Sequence, residues 1–142
     1  MASTARDGVR SERRASPAAP GVWMNLVGLE APVKTRISLL VLRSSSVERA
    51  LAFYRALGLE FVEEWHGKGP VHYASKVGGT VLEIYPAGAP VSVRHERVGF
   101  RVEDLERVLA AVDQSGGSVE STSLHEGVRR AVVVDPDGRK VE

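Results

Sequence analysis

From residue 36 onward, the spacing of apolar positions divides the chain into short elements. Ile37-Ser38-Leu39-Leu40-Val41-Leu42 is an aliphatic, partly β-branched run that reads as a buried strand. Ser45-Ser46-Val47-Glu48 then fits a capping box, in which a serine oxygen and a glutamate satisfy the first free amides of a helix. That helix sets Val47, Ala50, Leu51 and Tyr54 on one face and ends at Gly58. Leu59 to Trp65 is strand-like, His66-Gly67-Lys68-Gly69-Pro70 is a loop, and His72 to Val77 and Thr80 to Tyr85 form a hairpin closed by Gly78-Gly79. Pro86 to Pro90 breaks the pattern.

The same order then recurs. Val98 to Val102 reads as a strand, Asp104 as an N-cap, and Leu105-Glu106-Arg107-Val108-Leu109-Ala110 echoes Val47-Glu48-Arg49-Ala50-Leu51-Ala52. Gly116-Gly117 closes this second helix, Ser118 to Ser121 is a strand, and Arg129 to Val134 pairs with Arg139 to Glu142 around Asp135-Pro136-Asp137-Gly138. Each half is therefore strand, helix and three strands, and neither alone covers its apolar sheet face. The fold class is α+β, with repeat one at about 36–86 and repeat two at about 96–142 of a domain spanning 35–142.

The Gly-Gly turn fixes a register that singles out a charged residue. Both central positions of a primed turn need positive φ, so Val77 pairs with Thr80 and Glu83 lies opposite Ala74. Glu83, Tyr85, His72 and Lys76 then share one sheet face, which is either the wet side of an antiparallel sheet or the wall of a site. Extending the repeat maps Leu39 onto Arg97, and one residue inserted in the longer second turn makes Glu142 the counterpart of Glu83.

Composition narrows the function classes. The net charge of +1 is spread unevenly: residues 1–34 carry five basic against three acidic side chains, so the remainder is nearly neutral. Nothing there suggests nucleic acid or an anionic membrane as a partner. Without cysteine there is no disulfide, thiolate zinc site or cysteine nucleophile, and a cytoplasmic location is expected. No apolar run reaches the length of a membrane span. Residues 1–22 are rich in Ala, Arg, Ser, Pro and Gly, and 1–34 read as a disordered or loosely ordered tail, with Met24 an alternative start. Glu142 falls inside what reads as the last strand, which leaves open a longer natural chain.

Several stretches together resemble one family: Leu40-Val41-Leu42-Arg43, Ala52-Phe53-Tyr54-Arg55-Ala56-Leu57-Gly58-Leu59, Val81-Leu82-Glu83-Ile84-Tyr85, Val98-Gly99-Phe100-Arg101-Val102-Glu103-Asp104-Leu105 and Asp135-Pro136-Asp137-Gly138-Arg139-Lys140-Val141-Glu142. They look like the vicinal oxygen chelate superfamily of glyoxalases, bleomycin-resistance proteins and extradiol dioxygenases. The resemblance implies two βαβββ units forming a curved mixed sheet around a ligand cleft, often as a homodimer. It also implies a divalent metal held by the first, fourth, fifth and eighth strands. Glu83 and Glu142 match the fourth and eighth positions and are the candidate catalytic residues, whereas Leu39 and Arg97 fall at the other two, where neither side chain ligates.

Three readings follow from that mixed match. In the first, Arg97 pairs with Glu83 or Glu142 in the place of the metal, and no cofactor is needed. A second keeps a divalent ion (Zn, Fe, Mn or Ni) on substituted ligands, His72, Glu83, His95 and Glu142, with His95 on the strand face of Arg97. In the third, Arg97 and Lys76 bind an anionic ligand directly. The favoured function is a glyoxalase- or bleomycin-resistance-like protein that binds a small molecule without the usual metal; the alternative is a metal-dependent lyase or dioxygenase, so enzymatic activity stays open. His72, Lys76, Tyr85, His66, Trp65 and Arg97 are the candidate ligand-binding residues, with the loop at His66 to Pro70 as a rim.

Overall fold

The computed structural model describes residues 35–93 and 95–142. By its internal contacts the chain divides after Thr35, and the unit Arg36–Glu142 carries both repeats. The expectations for residues 1–34, including the tail and the alternative start, lie outside the described residues.

The first repeat runs β1 (Leu39–Ser44), α1 (Val47–Ala56), β2 (Val62–Glu64), β3 (His72–Val77) and β4 (Thr80–Pro86). The second runs β5 (Arg97–Val98), α2 (Leu105–Val112), β6 (Ser118–His125), β7 (Val128–Val134) and β8 (Lys140–Val141), with a short 3-10 turn, Asp113–Ser115, after α2. Each repeat builds a four-stranded sheet, ordered β1-β4-β3-β2 and β5-β8-β7-β6. In both, the first strand returns to lie parallel to the last and the other pairings are antiparallel. This is the α+β, twice-repeated βαβββ fold read from the sequence.

The register of the first hairpin is the one that Gly78-Gly79 demands. Val77 pairs with Thr80 and Ala74 with Glu83, and Gly78 sits at φ +59°. The repeats also match in register: Leu39 pairs with Val81 where Arg97 pairs with Lys140. Two residues along each strand pair, Val41 lies beside Glu83, and the Glu142 amide and carbonyl bond Val98 and Phe100 on either side of Gly99. Glu142 is thus the backbone counterpart of Glu83.

Helix α1 buries Ala50, Leu51, Phe53 and Tyr54. Phe53 and Tyr54 meet edge to face at 5.1 Å, and burying each such ring is worth about 1.5–3 kcal/mol. The Asp104 side chain accepts from the Arg107 amide at 3.0 Å and caps α2 as expected. At α1 the capping box does not form. Ser46 occupies the cap position without a side-chain bond, and the amide and hydroxyl of the neighbouring Ser45 donate to Asp137 of the second repeat. Strand β6 extends to His125, beyond the short strand expected, and turns into β7 through Glu126 and Gly127, both at positive φ.

One apolar cluster joins the repeats. Leu82 and Ile84 from the first sheet meet Val133 and Val141 from the second, with Phe53, Tyr54, Val108 and Val112 of the helices between them. Strand alternation therefore turns the other face of each sheet away from this core. No helix among the described residues is long and apolar enough to cross a membrane.

Candidate functional site

The outward face of the first sheet carries most of the candidate residues. Strand pairing lines up Val41, Glu83, Ala74 and Val62 across four strands, with Arg43 beside Tyr85 and Glu64 beside His72. Lys76 lies on the same face of β3 and is exposed. The His72 ring is 1 % exposed and stacks on the Tyr85 ring at 4.1 Å between centroids and 8° between planes. Arg43 covers the same tyrosine, its guanidinium carbon 5.6 Å from the ring centroid. Partial desolvation and the nearby Glu83 charge raise the Tyr85 phenol above its ordinary value, while Arg43 opposes the shift. The phenol is therefore a neutral donor at physiological pH.

The outward face of the second sheet gathers a different set. Glu142 accepts ion pairs from Arg97 at 3.5 Å and from Arg130 at 3.3 Å. Lys140, one pair away, is bound to Glu120. Arg130 went unnoticed in the sequence, although the alternation of β7 puts it on the face of Val132 and Val134, and hence on that of Glu142. The Arg97 side chain is 54 % exposed, so it is a surface cation rather than an internal one.

The structure thus joins Arg97 to Glu142 and leaves Glu83 elsewhere. Glu83 borders a hollow of about 850 Å³ with Lys76, Val62, Val81 and Phe100. Glu142 and Arg130 border another of about 430 Å³. The two hollows share only Leu57 and the segment Phe100–Val102. Of the remaining candidates, Trp65 follows β2 and is 68 % exposed, and His66 stands exposed in the loop after it. His95 lies in an exposed turn before β5 instead of on the strand face of Arg97, because β5 begins only at Arg97.

The family's metal positions can be tested against this arrangement. Beside Glu83 on β1 stand Val41 and Leu39, whose side chains have no lone pair. Beside Glu142 stand two guanidiniums, which stay protonated. These residues do not fit a divalent ion at the inherited place.

The sequence profile of the Glyoxalase/Bleomycin resistance protein/Dioxygenase superfamily matches residues 36–142. No curated protein matches the chain. Among solved structures, TnmS3, an antibiotic binding protein from Streptomyces sp. CB03234, is similar with a TM-score of 0.59 and 20% identity, over 77% of this chain and 93% of its own. Lactoylglutathione lyase from Agrobacterium tumefaciens gives 0.56 and 20%, over 75% and 90%. A glyoxalase family protein from Enterococcus faecalis gives 0.55 and 24%, over 76% and 95%. At these identities the likeness is one of fold.

Proposed function

The chain belongs to the Glyoxalase/Bleomycin resistance protein/Dioxygenase superfamily, and from that premise we propose that it binds a small, largely apolar molecule against Glu83 without a metal at the family's usual position. The observation that carries this reading is the pairing of Glu83 with Val41 and of Glu142 with Arg97 and Arg130. The carboxylates keep their register, and the groups that would share a metal with them are aliphatic or cationic. Lewis-acid activation of a substrate at that place has no donor set to hold its ion. Ligand capture needs only a concave apolar wall with a few polar groups, which Val62, Val81 and Phe100 supply alongside Glu83 and Lys76. The antibiotic-binding neighbour is a protein of this fold with such a role.

A second copy completes the site in this reading. Leu39, Val41 and Val62 are exposed around Glu83 on one sheet face, an apolar area that a homodimer would cover. The metal-dependent lyase or dioxygenase reading, with His72, Glu83, His95 and Glu142 as ligands, is less well supported, because His95 lies in an exposed turn and Glu142 is bound by arginines.

The test is a thermal-shift screen of apolar, amphipathic small molecules, followed by calorimetric titration of each stabiliser in the presence of a chelator. A stabiliser that binds equally well with chelator, and at least roughly tenfold more weakly to folded Glu83→Gln protein, supports the reading. Binding that needs a metal, or that ignores Glu83→Gln, overturns it.

A further inference from the structure

Away from the Glu83 and Glu142 carboxylates, the hairpin between β2 and β3 brings three donor side chains together. Glu64 ends β2, His66 stands two residues on in the loop, and His72 opens β3 in direct register with Glu64. One donor atom from each lies within 4.8 Å of the others. Glu64 Oε2 is 3.6 Å from His66 Nε2 and 3.9 Å from His72 Nε2, and the two imidazole centroids are 5.2 Å apart.

His72 is the informative member. Its Nδ1 lies 3.3 Å from the Pro70 carbonyl oxygen, which accepts from Nδ1–H and leaves the lone pair on Nε2. Nε2 is buried and has no hydrogen-bond partner among the described residues, and the distance to Glu64 is too long for one. A buried nitrogen left unmatched is an exception among native polar groups, and it calls for a partner. The stack on Tyr85 fixes the ring plane, so the lone pair is held toward the two other donors. A carbonyl on one imidazole nitrogen and a free lone pair on the other is the arrangement that metal-bound histidines use.

We propose that Glu64, His66 and His72 form a binding site for a divalent ion of the Zn²⁺ type, displaced to the sheet edge from the place where the family resemblance puts its metal. Two imidazoles and one carboxylate oxygen suit such an ion, with the fourth position left to solvent. A tetrahedral ion with bonds of about 2.0–2.2 Å holds its donors roughly 3.3–3.6 Å apart. Small rotations of exposed His66 and half-exposed Glu64 close that difference while His72 stays in its packed position. The loop between them, with Gly67 at φ +57°, supplies the freedom for His66 to swing. None of its donors lies on β1, β4, β5 or β8, and Glu64 also borders the Glu83 hollow, so the ion would sit at the rim of that hollow without using Glu83 itself.

The experiment titrates tag-free, chelator-stripped full-length protein with Zn²⁺ and with Co²⁺. Uptake of one ion per chain, a raised melting temperature with Zn²⁺ and the visible absorption of tetrahedral Co²⁺ are expected. His66→Ala and Glu64→Gln, both at accessible positions, should each weaken binding by roughly tenfold or more, and His95→Ala should leave it unchanged. No stoichiometric uptake, or equal uptake by the His66→Ala/Glu64→Gln double variant while both proteins remain folded, overturns the proposal. His72 is buried, so the test does not rely on its replacement.

Discussion

Tyr54 of the first repeat donates a hydrogen bond of 3.0 Å to Asp135 of the second, with both side chains shielded from solvent. Arg139 completes the junction, donating from Nη1 to Asp135 at 2.7 Å, from Nε to Glu96 at 2.8 Å and from Nη2 to the Arg43 carbonyl at 3.3 Å. The repeats are thus joined by a polar clamp as well as by the apolar core. Burial, and after it the Asp135 charge, pushes the Tyr54 phenol well above its ordinary value, against the opposing Arg139 cation.

Tyr54→Phe keeps the ring packing and removes the donor to a buried carboxylate. A loss of about 1.5–3 kcal/mol is expected in urea unfolding near neutral pH. The wild-type phenol, raised in the folded state, contributes stability that is present below the unfolded value near pH 10 and lost as pH rises above it. The variant should lack that alkaline component, which unfolding curves across the alkaline range would show.

Arg139→Met leaves the Asp135 carboxylate in a dry site without its main cation. Arg139 is 2 % exposed, and stranding a buried charge of this kind costs roughly 3–5 kcal/mol. The double change Arg139→Met with Asp135→Asn should recover part of that loss, because neither charge is then buried alone. Denaturant midpoints of the three proteins measure both effects.

Gly117→Ala tests the closeness of the repeats. A Cβ there would lie 2.5 Å from Cδ2 and Cε2 of Phe53 and 2.9 Å from the Val134 carbonyl. Phe53 is fully buried and has nowhere to move. Overpacking of this sort costs about 1–3 kcal/mol, and a melting temperature unchanged from wild type would contradict the packing described.

Asp137 should make folding acid-sensitive. Burial alone would raise its carboxyl, but the Ser45 hydroxyl and amide, which both donate to it, and the nearby Arg139 charge outweigh that and hold it below the usual carboxylate range. A depressed folded pKa contributes stability present above the unfolded value near 3.9 and lost as pH falls through the folded one. Ser45→Ala should therefore lower the melting temperature at neutral pH, with the gap to wild type closing once Asp137 is protonated.

Val41→Glu places a charge in the exposed apolar row beside Glu83. If a second copy covers that face, sedimentation velocity should show a wild-type dimer and a folded monomeric variant. A monomeric wild type would remove the dimer from the proposal.

The first hairpin was legible because its register is set locally: two glycines fix the turn, and period-two alternation carries Glu83, Tyr85, His72 and Lys76 to one face. The repeat, the Asp104 cap and the equivalence of Glu83 with Glu142 followed from the same short-range regularities. Strand β6 was harder to bound, since it is exposed along its whole length and its Ser-rich sequence shows little alternation.

The order, period and register of the strands were therefore readable from the chain alone, because turn geometry and side-chain alternation act over a few residues. Partners distant in the chain emerged only in the folded molecule. Ser45 looked like a helix cap until Asp137, far along the sequence, took its hydrogen bonds, and Arg139, legible only as the first residue of the last strand, is a buried cation held by Asp135 and Glu96 beside Tyr54. Glu83 and Glu142 matched in sequence yet came to border separate hollows, because both helix-bearing sheet faces pack into one shared core and turn the carboxylates outward. Burial and charge pairing depend on which distant surfaces meet, and local pattern carries no record of that meeting.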